Sequence, residues 1–172
     1  TVDVQIDNAS ILAATDSVSQ AVVKADPTVT WPTATLTYGQ TLAQATVSGG
    51  VGAGTFAFDN DAIAPSVADS GTAYAATFTP TDATNYNALS GNIVVTVNKA
   101  NQAAVNVSEV SKTYNSVTVS ASGGNTADYV YSKDNINWQA SGLFEGLNAE
   151  TAYTFYAKAN ADANYNESAV AS

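Results

Sequence analysis

Apolar and polar residues alternate in short runs along most of this chain, and Gly, Pro, Asn and Asp punctuate the runs. A period of two sends successive side chains to opposite faces of a strand, so each run predicts a strand with one face toward a core. Thr55-Phe56-Ala57-Phe58 places both phenylalanines on one face. Residues 71–78 alternate likewise until Pro80 ends the run, and Ile93-Val94-Val95-Thr96-Val97 follows. Thr28-Val29-Thr30-Trp31 meets Pro32, which confines it to an edge or a strand end. Tyr38-Gly39-Gln40-Thr41-Leu42 predicts a turn entering a strand, and the glycine-rich residues 48–54 a connection.

The second half has the same texture. Val105 and Val107, then Val117 and Val119, alternate with polar residues. Tyr129-Val130-Tyr131-Ser132 and Asn137-Trp138-Gln139 flank Lys133-Asp134-Asn135-Ile136, which reads as a hairpin turn. Tyr153, Phe155 and Ala157 share one face of a predicted long strand. Short strands at this spacing predict an all-β fold of two tandem antiparallel β-sandwiches.

The division into two follows from a repeat. Val22-Val23-Lys24-Ala25 and Val97-Asn98-Lys99-Ala100 are similar junctions 75 residues apart. Asp82-Ala83-Thr84-Asn85-Tyr86-Asn87 is echoed by Asp162-Ala163-Asn164-Tyr165-Asn166. The expected units are 25–99 and 100–172. Residues 1–24 are either the tail of a preceding module, the favoured reading, or extra strands packed on the first unit. The short stretch after Asn166 predicts a short final strand with an open edge, to which residues 17–24 of a neighbouring molecule would add.

Charge and composition then remove whole classes of function. Five lysines and no arginine stand against 15 acids, for a formal charge of −10. Nucleic-acid binding needs clustered cations to displace counterions, so no nucleic-acid partner is expected. No apolar run approaches the length of a membrane span and no signal peptide lies within the chain, so membrane insertion is not expected. Cysteine and histidine are both absent, which excludes thiol and imidazole catalysis and zinc sites built on those side chains. No catalytic residues are expected, and the chain reads as not an enzyme.

A few polar and aromatic groups are candidate sites. Asp59, Asp61 and Asp69 offer oxygen ligands of the kind calcium takes, without the spacing of a twelve-residue calcium loop. A solvated turn is the plainer reading of them, so no cofactor is expected, with calcium the one the ligands would suit. Tyr129, Tyr131 and Trp138 are the candidate platforms for stacking a sugar, the two tyrosines sharing a strand face. Core packing is the plainer reading there as well.

Two families are similar to these residues. The unit 25–99 resembles the Ig-like repeats of bacterial surface proteins known as MBG-type modules. The resemblance lies in Thr37-Tyr38-Gly39-Gln40-Thr41-Leu42, Gly71-Thr72-Ala73-Tyr74, Phe78-Thr79-Pro80-Thr81-Asp82, Asn85-Tyr86-Asn87 and Val97-Asn98-Lys99-Ala100. The unit 100–172 resembles a fibronectin type III module through Leu147-Asn148-Ala149-Glu150-Thr151-Ala152-Tyr153, with Ala149 where the family has proline. In that family Tyr153 would form a tyrosine corner, its hydroxyl bonding nearby backbone. The resemblance implies an extracellular, bacterial cell-surface location and a noncatalytic spacer or stalk in a secreted multidomain protein. Its partners would then be neighbouring modules of the same polypeptide. The alternative is an adhesin or carbohydrate-binding module, whose partner would be a host protein or a glycan.

Overall fold

The strands from 33 to 98 follow the alternation closely, and their buried residues fall on one side of a single sheet. The computed structural model describes residues 21–172, so the readings of residues 1–20, including their addition to a neighbour's edge, lie outside the described residues. The first unit contains β1 (Thr33–Thr37), β2 (Thr46–Ser48), β3 (Gly54–Phe58), β4 (Thr72–Pro80) and β5 (Leu89–Asn98). They form a five-stranded sheet in the order β2-β1-β5-β4-β3. Every neighbouring pair is antiparallel except β1–β5, which runs parallel with Ala34 beside Val95 and Leu36 beside Val97.

In β5, Ile93, Val95 and Val97 are buried, while Asn92, Val94, Thr96 and Asn98 are exposed. Ala34 and Leu36 of β1 and Ala76 and Phe78 of β4 join the same buried face. Burying a side chain as large as Phe78 or Ile93 contributes roughly 1.5–3 kcal/mol, which is why the period-two pattern fixes the register.

The cover over that face is irregular chain. Leu42, in a short 3-10 turn at Leu42–Gln44, is buried, and Val67, Trp31 and Tyr38 pack against the same cluster. Residues 41–44 were expected to lead into a strand. They turn instead because the Gln44 side chain accepts the Thr41 backbone N–H at 3.0 Å, closing the first turn of a helix. The Trp31 ring meets Phe56 edge-on, with centroids 5.3 Å apart. It also lies so close over Gly91 that a Cβ there would overlap the indole.

The second unit is a two-layer sandwich. Strands β6 (Val105–Lys112), β7 (Val117–Gly123) and β9 (Leu143–Phe144) form a three-stranded sheet in the order β6-β7-β9. β8 (Tyr129–Ser132) pairs with β10 (Tyr156–Ala159) to form the other. Both layers supply the core: Val105, Val119 and Phe144 from one, Tyr131, Ala157 and Ala159 from the other. The predicted hairpin turn forms after β8, with Asn135 at φ 57° and a bridge from Tyr131 to Gln139.

The long strand expected through Tyr153 pairs only from Tyr156 onward. Tyr156 already faces Ser132, the last residue of β8, so the residues before it run past the end of their partner. Tyr153 and Phe155 still pack on the core with Ala157, as their spacing predicts. The expected short final strand is a single bridge, Ala171 to Ala157.

The tyrosine corner is present. The backbone N–H of Asn148 donates to the Tyr153 hydroxyl at 3.0 Å, tying the turn after Leu147 to the incoming chain. The chain is therefore all-β, and the layer order and tyrosine corner of its second unit are those of an Ig-like or fibronectin type III-like sandwich.

Candidate functional site

The repeated sequence motif is a repeated structure. In the first unit the Lys24 ammonium donates to the Ala83 carbonyl at 2.6 Å. Ala25 donates its N–H to the Asn85 carbonyl and accepts from the Asn87 N–H, both at 2.9 Å. The Asn87 amide then donates to Asp26 at 2.7 Å. The second unit repeats this contact by contact. Lys99 donates to the Asp162 carbonyl at 2.6 Å, Ala100 exchanges bonds with Asn164 and Asn166, and the Asn166 amide donates to Asn101 at 2.9 Å.

Each loop is preshaped by its own aspartate. Asp82 accepts the N–H groups of Thr84 and Asn85, and Asp162 those of Asn164 and Tyr165. A short carboxylate bonding backbone two or three residues on is what Asp does in turns. The Asp82 carboxyl is held below the usual carboxylate range, first by the Asn85 side-chain amide and then by the Asn85 backbone N–H. The two lysines, read from sequence as linker residues, are thus clasps that each close the unit following them.

The two clasps differ in their surroundings. Asn164 Oδ1 accepts the backbone N–H of Val67, in the cover of the first unit, at 3.3 Å. The Tyr165 ring meets Tyr38 of the first unit edge-on, with centroids 5.3 Å apart. Just before Lys99, the Asn98 carbonyl accepts the Tyr38 N–H at 2.8 Å. The chain passes from one unit to the next at Asn98-Lys99 with bonds on both sides and no free residue between. In the first unit the Asn85 amide instead folds back onto Asp82 at 2.8 Å, and Tyr86, the counterpart of Tyr165, is 41% exposed.

The sequence-derived site residues are placed as follows. Asp59 accepts the Thr77 hydroxyl at 2.8 Å, and Asp69 accepts both the N–H and the hydroxyl of Ser66, at 2.8 and 2.7 Å. Those Ser66 bonds, side chain first, hold the Asp69 carboxyl below its ordinary range. The Asp61 carbonyl accepts the Ala43 N–H. Among the described residues no group of three acidic side chains gathers; Asp59 and Asp69 bond a strand and a turn neighbour, and Asp61 is bonded through its backbone carbonyl.

Tyr131 is buried in the core, and its hydroxyl accepts the Ala121 N–H at 3.1 Å. Tyr129 packs against the same core and donates its hydroxyl to the Gly123 carbonyl at 2.6 Å. The face they share is therefore the inner one, which removes them as a sugar platform. Trp138 is half-buried, with the Lys158 ammonium 4.7 Å from its ring centroid, and Lys158 in turn pairs with Glu167 at 2.9 Å. That cation lies over one face of the indole ring.

Two of the open clefts among the described residues lie near these features. One of about 270 Å³ lies beside the tyrosine corner, with Lys112 and Glu150 on its rim. The other, about 360 Å³, lies beside Tyr86 between Pro27, Ala53 and Pro80. Sequence reasoning missed the joint at Tyr38, Val67, Asn164 and Tyr165; the one signal pointing to it was the recurrence of Asn-Tyr-Asn in both units.

No protein-family model matches the sequence, and no curated protein shows significant similarity to it. A crystal structure of domains from titin is similar over 87% of this chain and 66% of its own, with 12% identity and a TM-score of 0.28. At that score the similarity carries no argument here, and the fold rests on the strand order and packing described above.

Proposed function

We propose that the chain is a noncatalytic structural segment: two Ig-like units acting as a spacer or stalk in a bacterial cell-surface or secreted multidomain protein. The first unit would be an MBG-type repeat and the second a fibronectin type III-like domain. The observation that carries this reading is the joint without a linker. A spacer has to hold its ends at a set separation, and here the crossing at Asn98-Lys99 is bonded on both sides. The Tyr38–Tyr165 and Val67–Asn164 contacts resist bending about it. The polar side chains around both clasps serve turns and strand ends, which suits a scaffold.

The reading predicts no specific ligand. The full chain, presented at high concentration to immobilised polysaccharides and a glycan array, is expected to show no saturable retention. Saturable retention that is lost in Trp138→Ala would overturn the spacer reading in favour of a carbohydrate-binding module.

A further inference from the structure

The first unit carries the same clasp as the second, in the same geometry, with nothing among the described residues seated on it. We infer that this exposed clasp, centred on Tyr86 and Asn85, is a docking surface for a preceding unit of the same kind as residues 24–98, engaged through that unit's counterparts of Tyr38 and Val67. The inference rests on the spacer reading above and extends it: the joint would be a repeating element of an array.

Two independent observations carry it. The first is the internal comparison. Tyr165 and Asn164 show what this clasp does when a unit precedes it: the tyrosine ring packs on Tyr38 and the asparagine oxygen takes the Val67 N–H. Tyr86 and Asn85 hold the equivalent backbone positions, because Ala25 bridges Tyr86 as Ala100 bridges Tyr165. Tyr86 is nevertheless 41% exposed, and the Asn85 amide occupies itself with the neighbouring Asp82.

The second observation is the chain entering the clasp. Val97, two residues before Lys99, is the last buried residue of β5 and is 3% exposed. Its counterpart two residues before Lys24 is Val22, which is 95% exposed, with Val23 beside it at 83%. Among the described residues nothing covers these two valines, so the chain enters this clasp with apolar side chains exposed where it enters the other from a buried strand end. A preceding unit would bury Val22 in its core as the first unit's core buries Val97, and the same unit would bring its Tyr38 counterpart onto Tyr86. A polar ligand in the neighbouring cleft would leave both valines bare.

The test extends the full chain at its N-terminus. Residues 1–23 are replaced by a copy of residues 24–98, so that the copy's last residue meets Lys24 as Asn98 meets Lys99. The copy carries Tyr86→Phe so that the original Tyr86 is the one observed. Tyrosine nitration by tetranitromethane is followed by peptide mapping, with Tyr114, 83% exposed, as the reference. The expected result is a several-fold drop in the nitration rate of Tyr86 relative to Tyr114, to the level of Tyr165 in the same molecule. Tyr38→Ala in the added copy should return it to the rate seen in the unextended chain.

Equal Tyr86 rates with and without the added copy, while Tyr165 stays protected, would overturn this inference alone. Protection of Tyr86 in the unextended chain that grows with protein concentration would also overturn it, since the occupant would then be another copy of this chain. Tyr165 reacting as fast as Tyr114 would instead bring down the spacer reading on which the inference stands.

Discussion

Asp134 accepts four hydrogen bonds: from the Asn137 side-chain amide, the backbone N–H groups of Asn137 and Ile136, and the Ser132 hydroxyl. The Asn137 side chain contributes most to holding its carboxyl well below the usual carboxylate range, followed by the Asn137 and Ile136 N–H groups. A carboxyl whose folded pKa is depressed adds stability that is present above its unfolded pKa, near 4 for Asp, and lost as pH falls through the folded value. Asp134→Ala should therefore lower the urea midpoint of the second unit at neutral pH, and the difference from the parent chain should shrink once the pH drops below the ordinary carboxylate range. Urea titrations of both proteins at the two pH values check this; a difference that stays constant with pH would mean the carboxylate charge plays no part. The turn-forming role of such residues was legible in the sequence, because an Asx turn is local. What the same type of residue does at a distance was not. Nothing local to Lys24 or Lys99 marks them as clasps, since their partners lie 59 and 63 residues away.

Elements were legible to the extent that burial decides their pattern. β4 and β5 were readable because one face is buried and the other is not, and Tyr153, Phe155 and Ala157 because all three pack on one core. The extent of a strand depends on its partner, so the pairing of β10 from Tyr156 alone could not be read from its own residues. The parallel pairing of β1 with β5 joins Thr33 to Val94, a choice made by the whole sheet. The tyrosine corner, expected by resemblance, gives a test at this scale. Tyr153→Phe keeps the ring that packs on the core and removes the oxygen that accepts the Asn148 N–H. The loss should be about 1 kcal/mol. Thermal and urea unfolding of the second unit measure it; no destabilisation would mean the hydroxyl does not hold the turn.

At the scale of the molecule, two separate cores are joined by a few contacts. One cluster draws on Ala34, Leu36, Leu42, Ala76, Ile93, Val95 and Val97, the other on Val105, Val119, Tyr131, Phe144, Leu147, Ala157 and Ala159, and they share no residue. The repeat made this duality readable, while the joint between the cores stayed hidden because Val67 and Asn164 are 97 residues apart. An edge-on aromatic pair contributes about 0.5–1.5 kcal/mol and a hydrogen bond about 1. Together that is on the order of 2 kcal/mol, more than a tenfold bias toward the docked arrangement. The absence of free residues at Asn98-Lys99 adds to this by leaving little conformational freedom to lose on docking. The most direct measurement is of backbone residual dipolar couplings in the full chain, fitted to each unit separately. A single alignment tensor should describe both units, and Tyr165→Ala combined with Asn164→Ala should split it into two of different magnitude while each unit keeps its fold. Two different tensors in the unaltered chain would mean the units move independently, and would contradict the claim that the joint holds them in one docked arrangement.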